Sequence, residues 1–544
     1  MILQPAPERY GNVGVADEDA VLGLMKDWRQ GRADRSFWEA VSESYVMVFS
    51  IVVIGAMIGS AIVDAQNQAS SCESAGCLAA RGLLPWAAAA GVMAIALMAS
   101  RLFGPVLASG AEGFWLMESP MDRRRLLVGR FFKAIGLAFL MGAIVSALVA
   151  ALTGSSLAQI GIWAASAGLG AAGLTAFAAL EQTFDRKALV VAAQALVGLA
   201  AVGVLGILVA SAADWIQINP DVDGRLTMIV GGLGLLLLIG AGAAAWSRLR
   251  EIRRARLTSG GSLLRGLQGA AFALEFALIR DILVQNKYKE KGHVNPTRGS
   301  GSGTTALVMR DVQRLFRNPV ALLIFLATII IPYAVQALGL QALNVLISGI
   351  ALMAALIPFM NSLRVISRTK GLARLFPFGT SQLRRSTMVV PAMLAVVWAT
   401  LAIPAFAGLT GDVRLSLWTA ITNAVVAALA GFLGAIRWVS AAPASYSGPL
   451  VATGTGAMPP GLMFSMIRGF DMIALVAFPL LFGLPAWVSL IIGAIAFSIL
   501  SSGLDRESLM EQSEEQRRLL EEEKAKAQGK AKGEKIKVTR GQRR

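Results

Sequence analysis

The chain has 544 residues, 55% of them hydrophobic, and a mean hydropathy of +0.62. So much apolar sequence, gathered in segments of bilayer-spanning length, excludes a water-soluble domain and indicates a polytopic membrane protein. The formal net charge of +16 is spread over short loops and a tail, not gathered on a folded face. That argues against nucleic acid and for anionic lipid as its counterpart.

Met1 to Asp34 are polar and charged, with no apolar core ahead of a small-residue cleavage site, so no cleaved signal peptide is expected. Runs of about 17–25 apolar residues then give about twelve spans. They lie near 44–63, 85–103, 131–153, 157–180, 188–212, 227–246, 319–337, 340–360, 388–408, 415–436, 471–484 and 485–503. The last two are short enough to form a tight hairpin. With the N-terminus inside, the outer loops hold only Arg81, Arg225 and Arg414 as basic residues. The remaining Lys and Arg face inward, as the positive-inside rule requires. The expectation is a multi-pass protein of the cell membrane with both termini cytosolic.

Cys72 and Cys77 are the only cysteines and fall in the first outer loop. Their C-x4-C spacing reads as a small local disulfide clip, with two free thiols as the alternative. Two cysteines without a nearby histidine make no metal site.

The chain reads as an internal repeat. Leu24-Met25-Lys26-Asp27-Trp28 and Val308-Met309-Arg310-Asp311-Val312 match in character, and each precedes six spans. In the second copy Val308, Met309, Val312, Leu315 and Phe316 share one helical face, and Arg310, Asp311, Gln313, Arg314 and Arg317 share the other. Such a helix is expected to lie flat at the membrane interface. After the second span of each half comes a basic, proline-containing hinge. The first runs Glu118-Ser119-Pro120-Met121-Asp122-Arg123-Arg124-Arg125. The second runs Arg374-Leu375-Phe376-Pro377-Phe378-Gly379-Thr380-Ser381-Gln382-Leu383-Arg384-Arg385. Six spans being an even number, the halves insert in the same orientation. The fold class is therefore all-α: two parallel six-helix repeats.

The linker at 247–307 opens with Arg248, Arg250, Arg253, Arg254 and Arg256 and ends in Gly299-Ser300-Gly301-Ser302-Gly303, which reads as flexible coil. Between them Leu263 to Val284 is largely apolar, but Arg265, Glu275, Arg280 and Asp281 make it costly as a span. It reads as a surface or partner-facing helix, with deeper insertion as the alternative. The second half carries an added loop from Arg437 to Arg468, rich in Pro, Gly, Ser and Ala. A charged tail follows Leu504. The divisions are thus 1–43, 44–246, 247–307, 308–503 and 504–544.

Gly168-Leu169-Gly170-Ala171-Ala172-Gly173 fits G-x-G-x-x-G but lies inside a span, so close helix packing explains it better than a dinucleotide. The sequence contains no G-x-x-x-x-G-K-[ST] phosphate loop. His293 is the sole histidine, and no serine has the setting of a nucleophile, so no enzyme chemistry is expected. The spans hold Gln194, Asn344 and Asn423 but essentially no ionisable residue. Ion-coupled carriers usually need one, so an external energy source is favoured.

The first hinge, with proline, a short polar turn and Arg123-Arg124-Arg125-Leu126-Leu127, resembles the connection between transmembrane helices two and three in permeases of the ABC-2 exporter class. There the segment is a coupling helix seated in a groove of the ATPase subunit. The helices around Lys26-Asp27-Trp28 and Arg310–Pro319 are similar to the class's interfacial connecting helix. The whole chain, with its Gly-Ser linker and Tyr446-Ser447-Gly448-Pro449-Leu450 loop, also looks like a double-length actinobacterial permease family without assigned substrates. The resemblance implies ABC ATPase subunits as partners in trans, with ATP and magnesium bound there and no cofactor in this chain. It assigns ATPase docking to Glu118, Pro120, Asp122, Arg123, Arg124 and Arg125, and to Arg374, Pro377, Gly379, Arg384 and Arg385. The second hinge departs from the pattern because Gln382 and Leu383 delay its basic pair, so the two docking surfaces are expected to be unequal. Weakly polar spans suggest an amphipathic or lipidic cargo: a peptide, an antibiotic or a lipid. Headgroup anchoring is the alternative use of the hinges. A secondary carrier or a non-transporting scaffold is the alternative for the whole chain.

Overall fold

The structure is a computed structural model. It describes residues 75–502 except 118–121, 214, 217–223, 273–275, 293–297, 338–339, 370, 373–374, 411–413, 442–450, 454–455, 459–464 and 466, and scattered positions in 23–63 and 520–523. Among the described residues nine helical stretches are long and apolar enough to cross a membrane, two of them (Pro319–Ala337 and Gln341–Arg368) made of consecutive helices, and Phe470–Leu481 and Ala486–Ser502 are shorter apolar helices. The chain is an all-α polytopic membrane protein. The expected first span, 44–63, lies largely outside the described residues, as does the charged tail.

The first half contains α1 (Ala75–Phe103), the short α2 (Gly110–Trp115), α3 (Arg123–Leu152), α4 (Leu157–Thr183), α5 (Ala188–Ala212) and α6 (Arg225–Ser247). At its centre is α4, packed against α1, α3 and α6. Small residues allow this. Added Cβ atoms would lie 3.0 Å from the Phe139 ring on α3 at Gly168, 2.5 Å from Met93 on α1 at Gly170, and 2.4 Å from the Gly234 carbonyl on α6 at Gly173. The G-x-G-x-x-G motif thus gives each glycine its own neighbour, as small-residue packing in membranes predicts.

Two linker helices follow, α7 (Arg254–Phe272) and α8 (Phe276–Lys291). The second half has α9 (Gly303–Arg317), α10 (Pro319–Thr328), α11 (Ile330–Ala337), α12 (Gln341–Leu356), α13 (Asn361–Arg368), α14 (Thr380–Phe406), α15 (Leu417–Ser440), α16 (Phe470–Leu481) and α17 (Ala486–Ser502). The break between α10 and α11 has a covalent cause: Pro332 has no N–H to offer the Thr328 carbonyl four residues earlier. α12 reaches α13 through a 3-10 turn, Ile357–Met360.

The packing pattern repeats. Helix α15 touches α12, α14 and α17 as α4 touches α1, α3 and α6. In expected-span numbering, the fourth and tenth spans hold the same place among their neighbours. The halves also meet directly at the end away from the hinges, where Leu83, Leu84, Leu208 and Ala212 pack with Ala334 and Ala337. Between α15 and α16, Val451–Thr453 pairs antiparallel with Gly456–Met458, so the added loop contains a small ribbon.

One expectation changes. The linker does not present one partner-facing helix. It forms two helices, packed on each other and docked on both halves. The hinge arginines are helical, because α3 and α14 begin well before the apolar stretches at 131 and 388. On α9 it is Asp311 that is buried, at 5% exposure, while Met309 and Phe316 are exposed.

Candidate functional site

Both hinges, the linker and α9 gather at one end of the bundle. After α1 the chain turns at Gly104, whose φ of +83° suits glycine. The following loop is clamped by the Gln182 side chain at the end of α4, which accepts from the Val106 amide (3.2 Å) and donates to its carbonyl (3.0 Å). Ser109 and Glu112 then form a reciprocal capping box at the start of α2. Arg130 of α3 returns to donate to Glu112 and to the Leu107 carbonyl, both at 2.6 Å. Burial opposes ionisation of Glu112, but the Ser109 amide and hydroxyl and Arg130 outweigh it and hold the carboxyl at about 2.

Asp122 is the N-cap of α3 and accepts from the Arg124 amide at 3.0 Å. Arg123, Arg124 and Arg125 fill the first turn, where the positive end of the helix dipole disfavours cations. Arg124 lies over the Trp246 ring at 4.8 Å, and Arg125 faces solvent. Glu118 and Pro120 lie outside the described residues.

The second hinge is built differently. Pro377 and Gly379 are exposed, Gly379 caps α14 without a side chain, and Arg384 and Arg385 sit a turn further into the helix. Arg374 lies outside the described residues. On α9, Asp311 accepts from Ser362 of α13 and from Arg314 (3.2 Å). Burial raises its carboxyl above the ordinary aspartate value, offset in part by Ser362 and Arg314. A cavity of about 250 Å³ between α9, α13 and the second hinge is lined by Arg310, Asp311, Arg314, Phe376 and Thr387. The structure therefore brings Arg310, Asp311 and Arg314 together beside the second hinge, while Pro377, Gly379, Arg384 and Arg385 do not line this cavity. Lys26, Asp27, Trp28 and Cys72 fall outside the described residues, and so does the Cys77 side chain.

The linker connects the two hinges, and the sequence reading missed its role. An added Cβ at Gly260 would lie 1.8 Å from the Phe103 carbonyl, and one at Gly261 would lie 2.0 Å from the Ala108 carbonyl. The Ala108 amide also donates to the Leu257 carbonyl at 3.1 Å. At the linker's start Arg253 and Arg256 reach Asp185 at 3.2 and 3.4 Å, and Arg248 covers Phe184 at 4.6 Å. On α8, Asp281 pairs with Arg364 and, at 3.2 Å, with Arg368, both on α13. The signals were present in the Gly260-Gly261 pair and the charged Arg280-Asp281 step. Their partners are distant in the chain and could not be read from spacing.

The polar residue Asn344 is committed internally. It donates to the Pro332 carbonyl at 3.1 Å and accepts from Ser348 at 2.8 Å. Among the described residues no group of three His, Cys, Asp or Glu could hold a metal.

A family of unknown function, DUF6297, matches residues 77–449. The chain belongs to this family. The DUF6297 match takes in both hinges, the whole linker and both central helices, so these features lie within the family's own extent. No curated protein matches the chain, and no solved structure does.

Proposed function

We propose that this DUF6297 protein is the transmembrane subunit of an ATP-driven exporter of the ABC-2 type. In this reading both termini are cytosolic and separate ATPase subunits dock on the two hinges. The cargo is an amphipathic or lipidic solute, and ATP binding rocks the two halves about the pathway between them. The observation that carries the reading is the first hinge. Three arginines occupy the first turn of α3, where the dipole disfavours them, and Arg130 of the same helix ties it to Glu112 of α2. A cationic helix start, tied to α2 through Arg130, suits the transfer of force from a partner. The repeat of packing around α4 and α15 supports a pseudo-twofold translocation unit.

Gentle-detergent purification of the full chain is expected to bring down a stoichiometric subunit with a phosphate-binding loop. Arg125→Glu alters an exposed residue, and the triple reversal at Arg123, Arg124 and Arg125 extends the change. Both are expected to leave membrane insertion intact, and the triple variant to weaken ATPase binding by about tenfold or more. Unchanged binding in the triple variant would remove the docking role. Transport that follows an ion gradient and ignores ATP would replace the reading with a secondary carrier.

A further inference from the structure

A cavity of about 830 Å³ at the hinge end lies between α8, α9 and the turn from α12 into α13. Five arginines line it: Arg280, Arg314, Arg317, Arg364 and Arg368. Among the described residues that line it, the carboxylates are Asp281 and Asp311. Asp281 is already shared by Arg364 and Arg368, and Asp311 is engaged by Arg314. Arg280 donates to neutral acceptors, the Ile357 carbonyl at 3.2 Å and the Asn361 amide oxygen. A cavity with this excess of fixed positive charge attracts an anion, and guanidinium forks match the oxygens of a phosphate. Burial and the neighbouring Arg364 lower the Arg280 pKa to about 10, a mark of that crowding.

The position indicates where the phosphate comes from. Arg317 and Asn318 form one wall, and α10 begins at the next residue. Along α10, Val320, Leu323 and Ile324 are exposed at 63%, 59% and 56%. Leu315, Pro358 and Phe359 add an apolar side to the cavity itself. A charged cavity next to the start of a spanning helix with exposed apolar residues suits a phospholipid, with its phosphate in the cavity and its acyl chains along the helix. The size, far larger than one phosphate, leaves room for the glycerol headgroup region.

We propose that this cavity is a binding site for the phosphate headgroup of an anionic phospholipid, which bridges the linker helix α8 to α9 and α13. The site needs no ATPase and stands independently of the transport reading.

The test is native mass spectrometry of the full chain, delipidated and then titrated with phosphatidylglycerol, phosphatidylcholine or inorganic phosphate. The wild type is expected to retain phosphatidylglycerol in preference to phosphatidylcholine. The double variant Arg280→Gln/Arg317→Gln is expected to lose roughly tenfold of that affinity. Arg317→Gln alone changes an exposed side chain, is expected to fold normally, and should give part of the loss. Arg384→Gln on the second hinge serves as the control and is expected to leave lipid binding unchanged. Equal retention of both lipids, or an unaffected double variant, would overturn the proposal. Retention of inorganic phosphate without preference for phosphatidylglycerol would overturn the lipid source and leave a free phosphate ligand instead.

Discussion

Single side chains determine how firmly the first hinge is held. Glu112 carries the clearest electrostatic signature because three sources of hydrogen bonds converge on a half-buried carboxylate. Its carboxyl lies at about 2 in the folded chain against an ordinary 4.5. A depressed folded value means that the stabilisation is complete above about pH 4.5 and is lost as pH falls towards 2. Glu112→Gln is therefore expected to lower thermal stability in detergent at neutral pH, by about 1–3 kcal/mol. The gap to the wild type should close between pH 4.5 and 2. A gap that persists at the acid end would show that the effect is not the carboxylate's charge. That Glu112 caps α2 was not read from the sequence, although Ser109-x-x-Glu112 is a capping-box spacing. That Arg130 and Gln182 close on the same loop depends on how α3 and α4 pack, which local sequence does not encode.

At the level of whole helices, close approach depends on glycine. Gly173 faces the Gly234 carbonyl with 2.4 Å to an added Cβ, whereas Gly161, on the same helix, has nothing within 4 Å. Gly173→Ala must push α4 from α6, and overpacking of this kind costs about 1–3 kcal/mol. Gly161→Ala is expected to be neutral or to stabilise by about 0.5–1 kcal/mol, through lower backbone entropy in the unfolded chain. Melting temperatures of the two variants in the same detergent distinguish the sites; equal shifts would contradict the packing described. Here the sequence was legible in kind, since a glycine motif within a span implies close packing. The particular neighbour of each glycine was not.

For the molecule as a whole, the linker is a structural strap and not a spacer. Helix α7 packs on the α1–α2 loop through Gly260 and Gly261, while α8 reaches α13 through Asp281. A protease site inserted at Ser300 cuts after both anchors. The cleaved halves are expected to remain together in detergent, held by α8 on α13 and by α5 and α1 on α11. Adding Asp281→Ala is expected to make them separate at lower salt, since Arg364 then lies buried without its carboxylate partner. Co-elution on size-exclusion chromatography reads the result. Dissociation after cleavage alone would mean that the strap does not hold.

The sequence by itself determined the membrane class and the positions of most spans. Hydropathy over a bilayer's thickness is a local property. Tertiary structure alone decided that the linker folds onto both halves, that Asp311 turns inward on α9, and that five arginines surround one cavity. The physical reason is the same in each case. An amphipathic pattern tells which face of a helix is apolar but not whether lipid or protein covers it. A charged residue's partner, meanwhile, lies wherever the packed helices bring a distant segment, as Asp281 and Arg364 show.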